Sequence, residues 1–241
     1  MNSALEVLFA DNHVLAVAKP AGMPVAPDAS GDASLLELAR AWVRAEYHKP
    51  GEVFLGLVHR LDRPVSGVVV FGRTSKGASR LAAAFRARTA EKRYLGVTAS
   101  RPRADQGVVD QWLVKDAARN VVRVAAAGEP GARRAVTRWR VVEERGGRVL
   151  LAFEPATGRP HQLRVAAATL GSALLGDLKY GAREALPDAS VALHAFELVL
   201  AHPTRSEPLR LAAPVPFLAI WRFSALDGGA APPFSGRPAG P

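Results

Sequence analysis

The chain has 241 residues, a length that one mixed or all-β domain can fill. Hydrophobic residues make up 49% of it and charged residues 22%, a composition typical of a globular protein. The 32 basic and 22 acidic residues leave a net charge of +10 at pH 7, which favours a polyanionic partner such as nucleic acid or an anionic membrane surface. Because cysteine is absent, disulfides, thiol nucleophiles and cysteine-ligated metal sites are excluded.

Membrane and cofactor signals are weak in this sequence. No apolar run approaches the roughly 18 to 20 residues of a membrane-spanning helix. The N-terminal stretch MNSALEVLFADNH lacks a basic segment followed by a long apolar one, so we expect a cytoplasmic protein without a membrane partner. No HExxH, GxxxxGK[ST] or GxGxxG motif occurs, so no metal or nucleotide cofactor is predicted.

The first third of the chain predicts two strands and a helix. VLFADNHVLAVAKPAG, residues 7–22, indicates two strands that are joined at an Asp-Asn turn. Ser34 and Glu37 have the spacing of a capping box, which predicts a surface helix over 34–48.

The rest of the chain is richer in strands. The apolar run GVVVFGR predicts a buried strand over 67–73, and a helix is expected at about 75–88. PHQLRVAAATLG, residues 160–171, predicts a helix with Pro160 in its first turn and Gly171 at its C-terminal stop. Further strands are predicted at 92–99, 107–115, 119–126, 134–144, 148–154 and 191–201.

These elements predict an α+β fold, in which a mixed and largely antiparallel β-sheet is flanked by helices and loops. The strict strand-helix-strand alternation of a doubly wound domain is missing. We expect one domain over residues 1–223. The tail 224–241 is rich in Gly, Pro and Ala, and we expect it to be disordered.

Basic residues cluster in two series along the chain. Between 73 and 103 a single acid, Glu91, accompanies nine Lys or Arg residues. Such a run is either a solvated helix face or a surface that tracks phosphates, and the presence of a second series favours the phosphate surface. The first series is Arg73, Lys76, Arg80, Arg86, Arg88, Lys92, Arg93, Arg101 and Arg103, and the second is Lys115, Arg119, Arg123, Arg133, Arg134, Arg138 and Arg140.

One carboxylate lies within a short basic motif. VHRLDRPVSG, residues 58–67, places Asp62 between Arg60 and Arg63. Neighbouring guanidinium groups favour the ionised form of a carboxylate, and an ionised carboxylate suits a nucleophile or a base. The alternative is a structural ion pair that orients the loop, and the triplet Arg-Leu-Asp is compatible with both.

The motif resembles the catalytic loop of the RluA-type pseudouridine synthases, HRLDxxTSG. The resemblance continues in the same order over most of the chain. LFADNHVLAVAKPAGMPVAP resembles the family's N-terminal hairpin, and KRYLGV the stretch that carries its active-site tyrosine. ATGRPHQLRVAAATLGSALLGDLKYGA and LHAFELVLAHPTRSEPLRLAAPVP match its later blocks. The ordered blocks together are specific, and they imply the pseudouridine synthase fold with a central catalytic cleft.

This resemblance implies a reaction, the isomerisation of uridine in RNA. The glycosidic bond to nitrogen 1 is broken and the uracil is rejoined to the ribose through carbon 5, without a metal or an organic cofactor. Asp62 matches the family's essential aspartate, which attacks the ribose, attacks the uracil ring or assists elimination at the ribose. Tyr94 matches the tyrosine that stacks on the flipped base and removes the proton from carbon 5. Arg164 matches the basic residue that pairs with the aspartate.

The resemblance also implies how RNA is bound. A target base must be extruded at a cost of a few kcal/mol and then held by aromatic and apolar contacts. Arg60 matches the arginine that fills the space left by the flipped base, and Leu163 is expected to wall the base pocket. We expect a monomer that binds a stem-loop of ribosomal or transfer RNA. The expected RNA-binding residues are His59, Arg60, Arg63, Arg86, Arg88, Arg93, Arg159, His161 and Leu163.

The chain departs from the family pattern at several positions. Val65 replaces the usual Thr of the catalytic loop, which removes a hydroxyl, while Pro160 and Leu163 are milder changes. His161 is expected either to orient the RNA backbone or to form a structural hydrogen bond at a helix start. Many relatives carry an RNA-binding domain ahead of the catalytic one. Because the hairpin here begins close to Met1, we expect the catalytic domain to supply its own RNA affinity.

Two other functions stay open at this point. A catalytically inactive RNA-binding protein of the same fold is disfavoured because Asp62, Tyr94 and Arg164 are all present. A carboxylate-dependent nuclease or glycosidase would need a second nearby carboxylate or a metal cluster, for which the sequence has no motif. We therefore predict an RNA pseudouridine synthase.

Overall fold

The structure is a computed structural model that describes residues 5–227. Three helices and the strands follow one another in a strand-rich order. The helices are α1 (Leu35–Glu46), α2 (Ser75–Ala87) and α3 (Gln162–Thr169). The strands are β1 (Glu6–Ala10), β2 (Val14–Lys19), β3 (Gly56–Leu57), β4 (Ser66–Gly72), β5 (Glu91–Thr98), β6 (Gln106–Asp116), β7 (Val121–Ala125), β8 (Arg133–Arg145), β9 (Arg148–Pro155), β10 (Leu193–Ala201) and β11 (Pro208–Ala212).

The described chain divides into two compact units, and each unit is built from two separate stretches of the sequence. Unit 1 consists of residues 5–92 and 187–214. Unit 2 consists of residues 93–186 and 215–227. Within residues 5–227 there is no helix whose length and apolar character would let it cross a bilayer.

A mixed sheet forms the framework of unit 1. β1 and β2 form an antiparallel hairpin, and β2 pairs antiparallel with β4 along its whole length. β10 runs parallel to the start of β4, while β3 lies antiparallel to its end. β11 is antiparallel to β10. Because β4 lies at the centre of this arrangement, all its residues are buried.

Alternate residues of these strands build the core of unit 1. Side chains two residues apart on a strand point to the same face, so β2, β4 and β10 each contribute a pair to the core, and β11 does so with the residue that follows it. The shared core cluster consists of Val14, Ala16, Val68, Val70, Leu81, Ala90, Leu198, Leu200, Leu211 and Ala213. Leu81 brings α2 onto this face of the sheet.

Unit 2 has a purely antiparallel sheet in the order β5-β9-β8-β6-β7. The helix α3 packs on this sheet through Val165, which joins Leu113, Val122 and Ala135 in a small core cluster. The phenol ring of Tyr180 packs against the same cluster.

A C-terminal segment returns to unit 2. Ser224–Leu226 form a 3-10 turn, and the carboxylate of Glu143 accepts the backbone N–H groups of Ser224 and Ala225 at 3.1 and 2.8 Å. The start of the predicted disordered tail is thus bonded to β8. Residues 228–241 of that tail lie outside the described residues.

The predicted α+β class and the mixed, largely antiparallel sheet are confirmed. The capping box that begins α1 is also confirmed: the Ser34 hydroxyl accepts the N–H of Glu37 at 3.3 Å, and the Glu37 carboxylate accepts the N–H of Ser34 at 2.8 Å. The placement of Pro160 in the first turn of α3 is wrong. That helix begins at Gln162, after His161 as N-cap with a φ of 51°, so Pro160 belongs to the preceding turn.

Gly67 brings β4 against β10. Its φ of +122° lies outside the region that L side chains prefer, and a Cβ built on it would lie 2.3 Å from the carbonyl oxygen of Ala195. The two residues are register partners in the parallel pairing. The glycine of the motif VHRLDRPVSG is therefore a packing requirement of β4.

Substitution Gly67→Ala should destabilise the protein by about 3 kcal/mol or more, because backbone strain and a backbone clash add together. Chemical unfolding of both proteins in urea would measure this difference. Gly147→Ala is the matched control, since Gly147 has a φ of +71° but no atom within 4 Å of a built Cβ. The control should lose only about 1 kcal/mol. Equal losses would contradict the close-approach explanation.

Candidate active site

The predicted catalytic loop is the segment 58–65 between β3 and β4 in unit 1. Asp62 lies half-buried within it. The carbonyl of Asp62 accepts the N–H of Val65 at 3.0 Å, which closes a turn, and the carbonyl of Pro64 accepts the N–H of Val191 at 3.0 Å. The loop is therefore held by its own turn and by the segment before β10.

Lys19, the last residue of β2, holds the same loop through a hydrogen bond to its backbone. The residue is 1% exposed, and its Nζ donates to the carbonyls of Pro20, Met23 and Arg63 at 2.9, 2.7 and 3.0 Å. Three acceptors match the three N–H groups of an ammonium. Burial lowers the pKa of Lys19 to about 7, and the negative charge of Asp62 acts in the opposite direction.

Sequence reasoning did not single out Lys19 as a site residue, although a signal was present. The lysine closes the apolar run VLAVAK and is followed by Pro20. A lysine at the end of a buried strand requires internal acceptors, because burying an ammonium without partners is costly. The lysine therefore indicates that a nearby loop folds against the end of β2 and supplies carbonyl oxygens to it.

Arg63, which is expected to face RNA, forms several bonds within unit 1. Nε donates to the carbonyl of Gly22 and Nη1 to the hydroxyl of Ser30, both at 2.9 Å. Nη2 bonds the carboxylate of Asp32, and a carboxylate oxygen of Asp28 lies 3.7 Å from Nη1. All three guanidinium nitrogens are thus engaged inside the chain.

His59, which is expected to contact RNA, also makes contacts within unit 1. Its Nε2 accepts the backbone N–H of Val70 at 3.0 Å, and its ring stacks on Phe85 with centroids 4.5 Å apart. Burial, together with the charge of Lys92, lowers the pKa of His59 to about 4. The hydrogen bond to Val70 and the stacking on Phe85 dock the loop on α2.

Arg60, Arg86 and Arg88 are exposed on unit 1, as expected of RNA-binding residues. Arg88 ends α2 in a left-handed conformation with a φ of +59°. Among residues 5–227, Arg86 and Arg88 form no ion pair. Burial and the charge of Arg88 both lower the pKa of Lys92. Cations therefore accumulate at the C-terminal end of α2, where the helix dipole favours them.

Val65, the departure from the family motif, is 3% exposed. Its N–H closes the turn with Asp62, which any residue other than proline can do. A buried threonine hydroxyl would need a hydrogen-bond partner, whereas an isopropyl group needs none. Valine therefore fits this position without changing the backbone of the loop.

A buried ion pair fixes Arg164 in unit 2. Nε and Nη2 of Arg164 donate to the two carboxylate oxygens of Asp177 at 2.8 and 2.6 Å. The side chains are 7% and 1% exposed. The guanidinium also lies over the ring of Tyr180, 5.0 Å from its centroid. Asp177 thus has a structural role, because its carboxylate determines the orientation of the Arg164 guanidinium.

The hydroxyl of Tyr180 connects this pair to two further elements. It accepts the backbone N–H of Val122 in β7 at 2.9 Å and lies 2.6 Å from Nδ1 of His161. His161 is 8% exposed. Of its two expected roles, the structural hydrogen bond at the start of α3 is therefore the one observed.

Gln162 and Thr157 anchor the TGRPHQ turn to β8. Nε2 of Gln162 donates to the carbonyl of Val136 at 3.0 Å, and its Oε1 accepts the backbone N–H of Arg159 at 2.9 Å. The hydroxyl of Thr157 lies between Gln162 and the N–H of Val136. Gln162 and Thr157 therefore determine where α3 begins.

The remaining predicted residues also lie in unit 2. Tyr94 is half-buried on β5 and faces Phe153 of β9 in the strand register. Arg93 is half-buried beside it, and Leu163 is buried on α3. Arg159 donates from Nε to the carbonyl of Arg134 at 3.0 Å, so part of its hydrogen-bonding capacity serves the fold.

The second basic series, which is expected to form a phosphate surface, is partly neutralised by acids of the chain. Several of its arginines face acids across hairpins of unit 2. The pairs are Arg119 with Asp116, Arg123 with Glu129 and Arg134 with Asp110. An arginine that already faces a carboxylate releases fewer counterions from RNA than a free one.

Comparisons of the sequence with a family model and with known proteins all match RNA pseudouridine synthases. Residues 13–169 match the family model of RNA pseudouridylate synthase. An uncharacterized RNA pseudouridine synthase of Zymomonas mobilis is 35% identical over 214 residues, which cover 88% of this chain and 94% of the relative. Ribosomal large subunit pseudouridine synthase C of Vibrio cholerae is 31% identical over 217 residues, which cover 87% of this chain but 65% of the relative.

A solved structure agrees with these matches. Human RNA pseudouridylate synthase domain containing 4 superposes with a TM-score of 0.74 and 27% identity, covering 88% of this chain and 89% of that one. The fold and the sequence matches define an isomerase that modifies RNA. The chain belongs to the RNA pseudouridylate synthase family, which confirms the resemblance seen in its motifs.

Substitution Asp177→Asn should cost about 3–5 kcal/mol of unfolding free energy, because it leaves the Arg164 guanidinium buried without a carboxylate. Thermal or urea unfolding would measure it. Asp110→Asn is the matched control, since Arg134 donates to Asp110 through the same two nitrogens at an exposed site. Solvent screens that pair, so a much smaller loss is expected. Similar losses for both would contradict the buried role of Asp177.

Proposed function

We propose that this protein converts specific uridines of structured RNA into pseudouridine in the cytoplasm, acting as a monomer. Relatives are named ribosomal large subunit pseudouridine synthases C and D, which favours ribosomal RNA over transfer RNA as the substrate. The observation that carries the proposal is the Asp62 loop. It matches the family motif, and the buried ammonium of Lys19 and a closed turn hold it in place.

Asp62 is the catalytic carboxylate in this proposal. It attacks the ribose, attacks the uracil ring or assists elimination at the ribose, and each route breaks the bond to nitrogen 1 before the uracil rejoins through carbon 5. A carboxylate on an anchored loop is already oriented when the substrate binds. Orientation of this kind can account for several kcal/mol of a barrier reduction.

Tyr94 and Arg164 complete the proposed catalytic set. Tyr94 stacks on the flipped uracil and removes the proton from carbon 5. Arg164 supplies a positive charge whose orientation is fixed by Asp177 and Tyr180. Leu163, buried on α3, walls the base pocket with an apolar surface. Arg60 fills the space that the flipped base leaves, in keeping with its exposure.

RNA affinity is proposed to come mainly from the C-terminal end of α2. Arg86 and Arg88 are exposed there and, among the described residues, have no acidic partner. Arg93 follows at the start of β5 and adds a further cation. Each phosphate contact releases condensed counterions, so the affinity should fall with salt.

Deletion of the gene should remove one or more pseudouridines from ribosomal or transfer RNA, as measured by pseudouridine mapping of total RNA. Expression of the wild-type chain should restore them, and Asp62→Asn should not, because the amide is neither a nucleophile nor a base at neutral pH. Asp105→Asn, the same change on an exposed turn of unit 2, should restore them fully. Restoration by Asp62→Asn would overturn the proposed role of Asp62.

Reversing the charge of Arg86 and Arg88 together should weaken RNA binding and reduce the slope of log affinity against log salt, by about 0.9 for each duplex phosphate that is no longer bound. Filter binding of an unmodified ribosomal RNA transcript at several salt concentrations would measure both. Reversing Arg123 and Arg134 gives a variant of equal charge, and it should change the slope less because acids already face these residues. An identical slope for both double variants would contradict the α2 surface.

A further inference from the structure

Arg63 stands next to the proposed catalytic aspartate, yet it bonds to a segment about forty residues earlier in the chain. We infer that Arg63 is a positioning residue, whose guanidinium fastens the Asp62 loop to the segment 22–32. This inference rests on the proposed function of Asp62. The clamp determines how accurately the loop presents that carboxylate.

The contacts form a clamp with both backbone and side-chain parts. The N–H of Gly22 donates to the carbonyl of Arg63 at 2.8 Å, and Nε of Arg63 donates back to the carbonyl of Gly22 at 2.9 Å. The other two guanidinium nitrogens bond Ser30 and Asp32. The arginine therefore joins both ends of the segment 22–32 to the catalytic loop.

Local charge argues that Arg63 serves the chain rather than RNA. Two carboxylates, Asp28 and Asp32, face this one guanidinium. The hydrogen bonds of Ser30, followed by the charge of Arg63, lower the pKa of Asp28, and the bond from Arg63 lowers the pKa of Asp32. Both acids are therefore ionised at neutral pH. A phosphate that approached the Arg63 guanidinium would meet the negative charges of both carboxylates.

The clamp transmits position to Asp62 through the main chain. The carbonyl of Arg63 accepts Nζ of Lys19 as well as the N–H of Gly22, so the peptide that joins Arg63 to Pro64, one residue after Asp62, is fixed from two directions. Loosening Arg63 leaves Lys19 as the main anchor and lets the loop move. A misplacement of about 1 Å can cost on the order of 100-fold in rate.

Steady-state kinetics separate a positioning role from an RNA contact. The assay is tritium release from an unmodified large-subunit ribosomal RNA transcript labelled at carbon 5 of uridine. Arg63→Gln should lower kcat by about 10- to 100-fold and leave KM within about 2-fold. Asp28→Asn combined with Asp32→Asn should also lower kcat, by a smaller factor because these pairs are exposed.

An RNA-contacting Arg63 predicts a different pattern. Arg63→Gln would then raise KM, and removal of the two carboxylates would lower KM, since it takes away charge that repels phosphate. Changes of KM in these opposite directions would overturn the inference. Arg205→Gln serves as the control, because Arg205 also pairs with an acid, Asp11, on the surface of unit 1.

Hydrogen exchange tests the clamp without any substrate. In Arg63→Gln the amides of 20–33 and 58–66 should exchange faster than in the wild type, while Arg205→Gln should leave these segments unchanged. Unaltered exchange in Arg63→Gln would overturn the inference whatever the kinetics show. If the wild type releases no tritium from this transcript, the proposed substrate fails, and the exchange rates still decide whether Arg63 fastens the loop.

Discussion

The burial of the Lys19 side chain organises the loop that carries Asp62. Lys19 ends a strand whose other residues are apolar, so its charge must be compensated by oxygen atoms of the chain itself. Those oxygens come from the residues just after the strand and from the peptide next to Asp62. Because a buried cation without acceptors would be costly, the hydrogen bond from Lys19 to Arg63 stabilises the Asp62 loop against the β1–β2 hairpin.

Unit 2 also buries a cationic side chain, and there a carboxylate compensates the charge instead of backbone carbonyls. Arg164 is buried on a short helix, and the carboxylate of Asp177 neutralises it while the ring of Tyr180 covers it. The pair contributes direction more than stability, because desolvation offsets much of the attraction between buried ions. In both units, residues outside the proposed catalytic set, such as Lys19, Asp177 and Gln162, hold the segments that carry the proposed catalytic residues.

Much of the fold could be predicted because its signals are local. Helices α1 and α2 were predicted from a capping box and apolar periodicity, and the motif order identified Asp62, Tyr94 and Arg164 as candidates. Two short strands, β3 and β11, escaped prediction since they gain their stability from neighbours on β4 and β10. The hydrogen bonds of Arg63 and the packing of His59 against Phe85 involve residues that are far apart in the sequence. Local sequence patterns cannot predict such contacts.

The parallel pairing of β4 with β10 joins parts of the chain that are synthesised at very different times. Ser66 and His194 are hydrogen-bonded at 2.9 Å although 128 residues separate them. Contacts of such separation form late, because a long loop must close first. On the ribosome, Asp62, Tyr94 and Arg164 have all been made before the first residue of β10 exists. A nascent chain interrupted before residue 187 would carry every proposed catalytic group and still lack the strand that completes the loop presenting Asp62.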